Sequence, residues 1–168
     1  MNRLLITLLL LAGTSLQTLL PGPAWLGSHE WPILLALTLC VALRADRARA
    51  VYTGVLAGLL HDAFCPAPLG YSLPFFLLIA LGVYAIREEV FGDNILTYTV
   101  IGPLAGLLQT VYFSILFAAA GMRPLGAGSL TIRLLGSFLL GALTAPLVYM
   151  LLETLPTRRI RKTRWVTG

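Results

Sequence analysis

A chain of 168 residues that is 58% hydrophobic and only 11% charged, with a mean hydropathy of +0.86, is not an ordinary soluble domain, where about a quarter of residues carry charge. Its net charge of +5 and pI near 9.7 would suggest nucleic acid in a soluble protein. Here the basic residues punctuate apolar runs, so they report membrane topology and leave no nucleic-acid-binding face. Two cysteines, with no CxxC pair and no histidine-rich spacing, argue against a disulfide framework or a zinc site.

Taken in order, the chain reads as six membrane spans. Leu4 to Leu20 is the first, about 26 Å long at 1.5 Å per residue, close to the hydrocarbon thickness of about 30 Å. The segment Met1 to Leu20 resembles a signal peptide, but the small-residue cleavage pattern after it is poor, so it is read as a retained helix. Pro21, Gly22 and Pro23 end it, and Trp25, Trp31 and Pro32 mark an interface before the second span. That span, Pro32 to Leu43, is short at about 18 Å, and a third from Ala50 to Phe64 covers only about 22 Å. Between them lies a basic loop containing Arg44, Arg47 and Arg49. Two short neighbours predict a hairpin shielded by other helices or set in locally thin bilayer.

Leu69 to Ile86 forms the fourth span, stopped by Arg87-Glu88-Glu89. The fifth, Ile95 to Ala120, carries a kink signal at Gly102-Pro103 and a small-xxx-small pair, Gly102 and Gly106. The sixth, Leu130 to Leu155, holds Arg133 near one end and Pro146 inside. A single transmembrane domain thus fills the chain, with a basic tail over 157–168 containing Arg158, Arg159, Arg161 and Lys162. With both termini cytoplasmic, ten basic residues fall on the inside and two, Arg123 and Arg133, on the outside. This asymmetry fixes the expected orientation and sets the tail on the anionic inner leaflet. Cys40 and Cys65 then lie at opposite faces and cannot pair.

The organising stretch is GVLAGLLHDAFCPAPLG, Gly54 to Gly70. At about 100° per residue, Gly54, Gly58, His61 and Asp62 share one third of a helix circumference. A carboxylate there must be solvated, protonated or paired, and Arg133 falls on the same side of the membrane, so an Asp62–Arg133 bridge is expected. The small-residue pairs suit packing within the bundle, with a homodimer through them left open. Gln17 and Gln109 are expected to hydrogen-bond across helices, and Tyr112, Phe113 and Phe117 to pack or face lipid. HExxH, GxSxG, paired intramembrane aspartates and phosphate-cradling glycine loops are all missing from the sequence, so an enzyme is not expected and no cofactor is implied. Nor do the spans form a repeat of three plus three helices.

The run LQTLLP at Leu16 to Pro21, the Trp31-Pro32 helix opening and above all GVLAGLLHDAFCPAPLGYS from Gly54 to Ser72 resemble the rod shape-determining membrane protein MreD family. The resemblance covers Leu4 to Val90, and more loosely LLGALTAPLVYMLLE in the last helix. It implies a non-enzymatic inner-membrane component of the bacterial cell-elongation and peptidoglycan-synthesis machinery, with a six-helix fold similar to the S components of energy-coupling-factor transporters. It further implies binding to the transmembrane helix of a bitopic MreC-like partner, and indirect links to an MreB filament and a RodA-type synthase. Gly54, Gly58, Asp62, Leu69 and Gly70 carry over from the family pattern, as fold-defining residues and part of the partner-facing surface. The competing expectation is a substrate-binding subunit of a small-solute, vitamin-type transporter, with Asp62 cradling a cationic ligand. A pocket of about 300 Å3 or more favours the transporter, and a filled interior beside an exposed small-residue groove favours the scaffold.

Overall fold

The computed structural model describes residues 2–20, 22, 31–64, 70–87, 94–121 and 127–154. They form six helices: α1 (Arg3–Leu19), α2 (Ile33–Arg44), α3 (Arg47–Phe64), α4 (Leu73–Ile86), α5 (Ile95–Ala119) and α6 (Ala127–Thr154). No strand occurs among the described residues. Leu69, Cys65, Trp25, Arg123, Arg158, Arg159, Arg161, Lys162 and Trp165 lie outside them.

The short α2 is the core of the molecule. Its sequence, ILLALTLCVAL, has no polar face, as befits a helix surrounded on all sides. Every side chain from Ile33 to Leu43 is at most 8% exposed, and the other five helices all touch it. Its one hydroxyl, on Thr38, turns back to donate to the Leu34 carbonyl at 2.8 Å. The expectation of a short helix shielded by its neighbours is met by this placement.

Two boundaries differ from expectation, for local reasons. The stretch from Arg44 to Arg49 is not a loop: Ala45 and Asp46 alone turn the corner, and α3 already begins at Arg47. The Asp46 carbonyl accepts from the backbone of Arg49 and Ala50, and its carboxylate pairs with Arg49 at 3.0 Å, so the first turn of α3 is closed at once. At about 27 Å, α3 is therefore not a short helix. Conversely, α4 begins at Leu73 and not at Leu69, with Pro74 in its first turn where a missing N–H costs nothing.

Helices α5 and α6 form the second hairpin, and among the described helices α6 packs on α5 and α2 only. Gly102 and Gly141 face each other so closely that a Cβ on Gly102 would lie 2.5 Å from the Gly141 carbonyl oxygen. The segments Ile95–Ala119 and Gly128–Thr154 are each long and apolar enough to cross a membrane. Arginines gather at one end. Arg44 stacks on Tyr149 at 4.6 Å, and Arg87 lies 4.2 Å from the Tyr84 ring while donating to the Ala45 carbonyl at 2.6 Å. Arg3 lies over Tyr52 at 5.8 Å. Three of the basic groups thus also pin helix ends together through aromatic faces and a carbonyl.

Candidate functional site

The stripe on α3 is buried and already occupied. Along it, the backbone of α4 lies directly over Gly58 and Gly54. A Cβ at Gly58 would come 2.5 Å from the Leu73 Cα, and one at Gly54 would come 2.9 Å from the Phe76 carbonyl oxygen. The close approach of two backbones is thus made within one chain. This corrects the expectation that Gly54 and Gly58 contribute to a partner-facing surface: no open groove runs along them.

Asp62, only 3% exposed, continues the stripe past the end of α4. Its Oδ1 accepts from the Ser72 backbone N–H at 2.9 Å, and Oδ2 accepts from the Gly70 N–H at 2.8 Å. The carboxylate of one helix therefore caps the N-terminus of the next, where unpaired N–H groups and the helix dipole both favour negative charge. Gly70 reaches this geometry with φ +97°, a conformation that a side chain would strain. Arg133 takes no part. It sits on α6, which does not touch α3, and the one ion pair among the described residues joins Arg49 to Asp46. The expected Asp62–Arg133 bridge is replaced by backbone donors because these are nearer and already point at the carboxylate.

With its N-capping task taken over by Asp62, the Ser72 side chain is released to His61: Oγ and Nδ1 are 2.7 Å apart. Ser72 is fully buried, so this contact joins two side chains that water does not reach. The His61 ring, 7% exposed, stacks on Phe113 of α5 with centroids 5.4 Å apart and lies equally near Phe76. Tyr112 donates to the Tyr71 carbonyl at 3.0 Å. The aromatic residues of α5 are packing groups that tie the second hairpin to the mouth of the first.

The same device recurs one hairpin earlier. The Gln17 Oε1 on α1 accepts from the Leu34 N–H in the first turn of α2 at 3.2 Å, so a side chain of the preceding helix again meets the start of the following one. The cross-helix role expected of Gln17 is thus located. Ser72 was missed by sequence reasoning, although Pro74 marks the helix start that makes it the N-cap residue. Beside this cluster, Thr14, Gln17 and Thr18 of α1 and His61 and Phe64 of α3 line a recess of about 250 Å3, open at the end of the bundle. An apolar notch of about 290 Å3 separates α5 from α6 around Ser114 and Leu134. No three histidine, cysteine, aspartate or glutamate side chains among the described residues come together as a metal site.

No family model, curated protein or solved structure matches the chain.

Proposed function

We propose that the protein is a non-enzymatic scaffold of the bacterial cell-elongation machinery, of the MreD type. In this reading it lies in the inner membrane with six spans and both termini cytoplasmic, and binds the transmembrane helix of a bitopic MreC-like partner. The observation that carries the membrane part of this reading is the outward surface. Leu4 and Leu8 on α1, Leu104 and Leu108 on α5, and Leu135 and Leu143 on α6 are each 53% to 73% exposed. Surfaces so apolar are made for lipid or for another helix.

The elongation role rests on the resemblance of Gly54 to Ser72. It is supported by the fate of the polar groups within that motif. Asp62 holds the backbone of Gly70 and Ser72, and the Ser72 hydroxyl meets His61, an arrangement suited to a structural lock. The centre of the bundle is filled by the side chains of α2. With Gly54 and Gly58 covered, the partner's helix docks on the outer faces of α1, α5 or α6.

The test is co-purification in detergent with candidate single-span partners, followed by cysteine crosslinking. Crosslinks from Leu8, Leu104, Leu108, Leu139 or Leu143 are expected, and none from Gly54 or Gly58. Failure to retain any bitopic elongation component would end the proposal.

A further inference from the structure

Between Ile95 and Leu152 the described residues hold a single charged side chain, Arg133. It stands five residues into the apolar segment Gly128–Thr154, about 8 Å from the start of that segment, and is half-buried. An arginine at that depth is costly unless something answers its charge. Among the described residues no hydrogen bond or ion pair holds it. The reason lies in composition: no aspartate or glutamate occurs from Asn94 to Leu152, the turn between the helices included, and α2, the other described helix on which α6 packs, has none either. Glu153, the nearest acid along the chain, is about 30 Å away at the opposite end of α6.

This charge borders an apolar space. Leu130, one turn before Arg133 and so its neighbour on the helix surface, lines the notch of about 290 Å3 between α5 and α6, as do Leu134, Ile115 and Ala118. The hydroxyl in that wall, on Ser114, donates to the Thr110 carbonyl at 2.7 Å, which leaves hydrocarbon to face the space. Ile115 is 65% exposed at the rim, so the notch opens outward, where lipid lies if the two helices cross a membrane. A methylene group takes up about the 30 Å3 of a water molecule, so the notch has room for about ten of them. The guanidinium group grips phosphate with parallel N–H donors, and the phosphates of a bilayer form the layer toward which an arginine near a helix end extends.

We infer that the α5–α6 hairpin binds a phosphate-bearing lipid, with an acyl chain in the notch and the anionic phosphate on Arg133. Such binding requires that α5 and α6 cross the membrane and is independent of the elongation role. The full-length protein, carrying Cys40→Ala and Cys65→Ala and a bimane probe on Ile115→Cys, is delipidated in neutral detergent micelles and titrated with phosphatidylglycerol or with diacylglycerol of the same brominated chains. Bromine quenches the probe only from beside the notch. Saturable quenching by phosphatidylglycerol is expected at about tenfold lower lipid fraction than by diacylglycerol, the worth of a charge-assisted hydrogen bond. Arg133→Gln should erase that difference, and Arg133→Lys should keep part of it. Ala118→Phe, at an exposed position of the wall, should weaken both lipids and keeps the test decisive where a change at Arg133 disturbs folding. Glycerol 1-phosphate, which has no chains, should not displace the lipid. Equal quenching by the two lipids, a difference that survives Arg133→Gln, or displacement by glycerol 1-phosphate would overturn the inference. So would a loss of preference in Glu30→Gln as complete as in Arg133→Gln, which would assign the arginine to that carboxylate.

Discussion

The hairpins α3–α4 and α5–α6 close by the same rule and are secured differently. In both, glycine lets one backbone lie against another: Gly54 and Gly58 under α4, and Gly102 and Gly106 against Gly141 and Ser137 of α6. Only the first adds a charge. Asp62 ties the end of α3 to the beginning of α4, with His61 and Ser72 as a second clasp. The second hairpin, longer and more exposed, relies on contact area and close packing. Small residues let two helices approach, and a buried polar group then fixes where one ends and the next begins.

Removing the charge is the sharpest way to break this contrast. Asp62→Ala strands the buried Ser72 N–H and takes the partner from the Gly70 N–H at the exposed turn, and a loss of about 2 to 3 kcal/mol is expected in denaturant unfolding followed by circular dichroism. Asp62→Asn, which keeps an acceptor, should lose about half as much. Next in size, Gly58→Ala and Gly102→Ala each drive a Cβ into backbone or a facing Cβ at 2.5 Å, and each should cost about 2 kcal/mol. The accessibility of single cysteines introduced into each hairpin should rise within the altered one and stay unchanged in the other. If both variants loosen the same pair of helices, the two hairpins are not independent.

A smaller effect is expected from the clasp. Ser72→Ala removes the hydrogen bond to His61 and should cost about 1 kcal/mol, with a change in the imidazole NMR signal as Nδ1 loses its partner. The smallest effect has the opposite sign. A Cβ at Gly82, in mid α4, meets nothing within 4 Å, so Gly82→Ala should stabilise by about 0.5 to 1 kcal/mol through helix propensity alone. A loss at that position would mean that something covers this face of α4.

Much of the fold was legible because it rests on periodicity and breakers. Six apolar runs became six helices, and the glycine pairs found partners inside the chain. The shortness of the second span pointed to a helix shielded by its neighbours or set in thin bilayer, and α2 is enclosed by the other helices. What was not legible depends on geometry created only by folding. Composition suggests that Asp62 needs a cation, since charge seeks charge. The backbone donors at Gly70 and Ser72 exist only once the turn has formed, so no pattern of side chains announces them. Arginine at 47 and 49 reads as loop because it is basic, yet its long aliphatic stem suits a helix as well as leucine does.

The enclosure of α2 has a consequence for how the protein responds to its surroundings. At about 18 Å it would be a poor match for any bilayer on its own, but it meets protein on every side and so has no lipid boundary to mismatch. In the membrane reading proposed above, thickening or thinning the bilayer would load α5 and α6 first, the two helices long and apolar enough to cross it. The central helix would register the change only as a shift passed inward by its neighbours, much as a keystone feels the arch and not the weather.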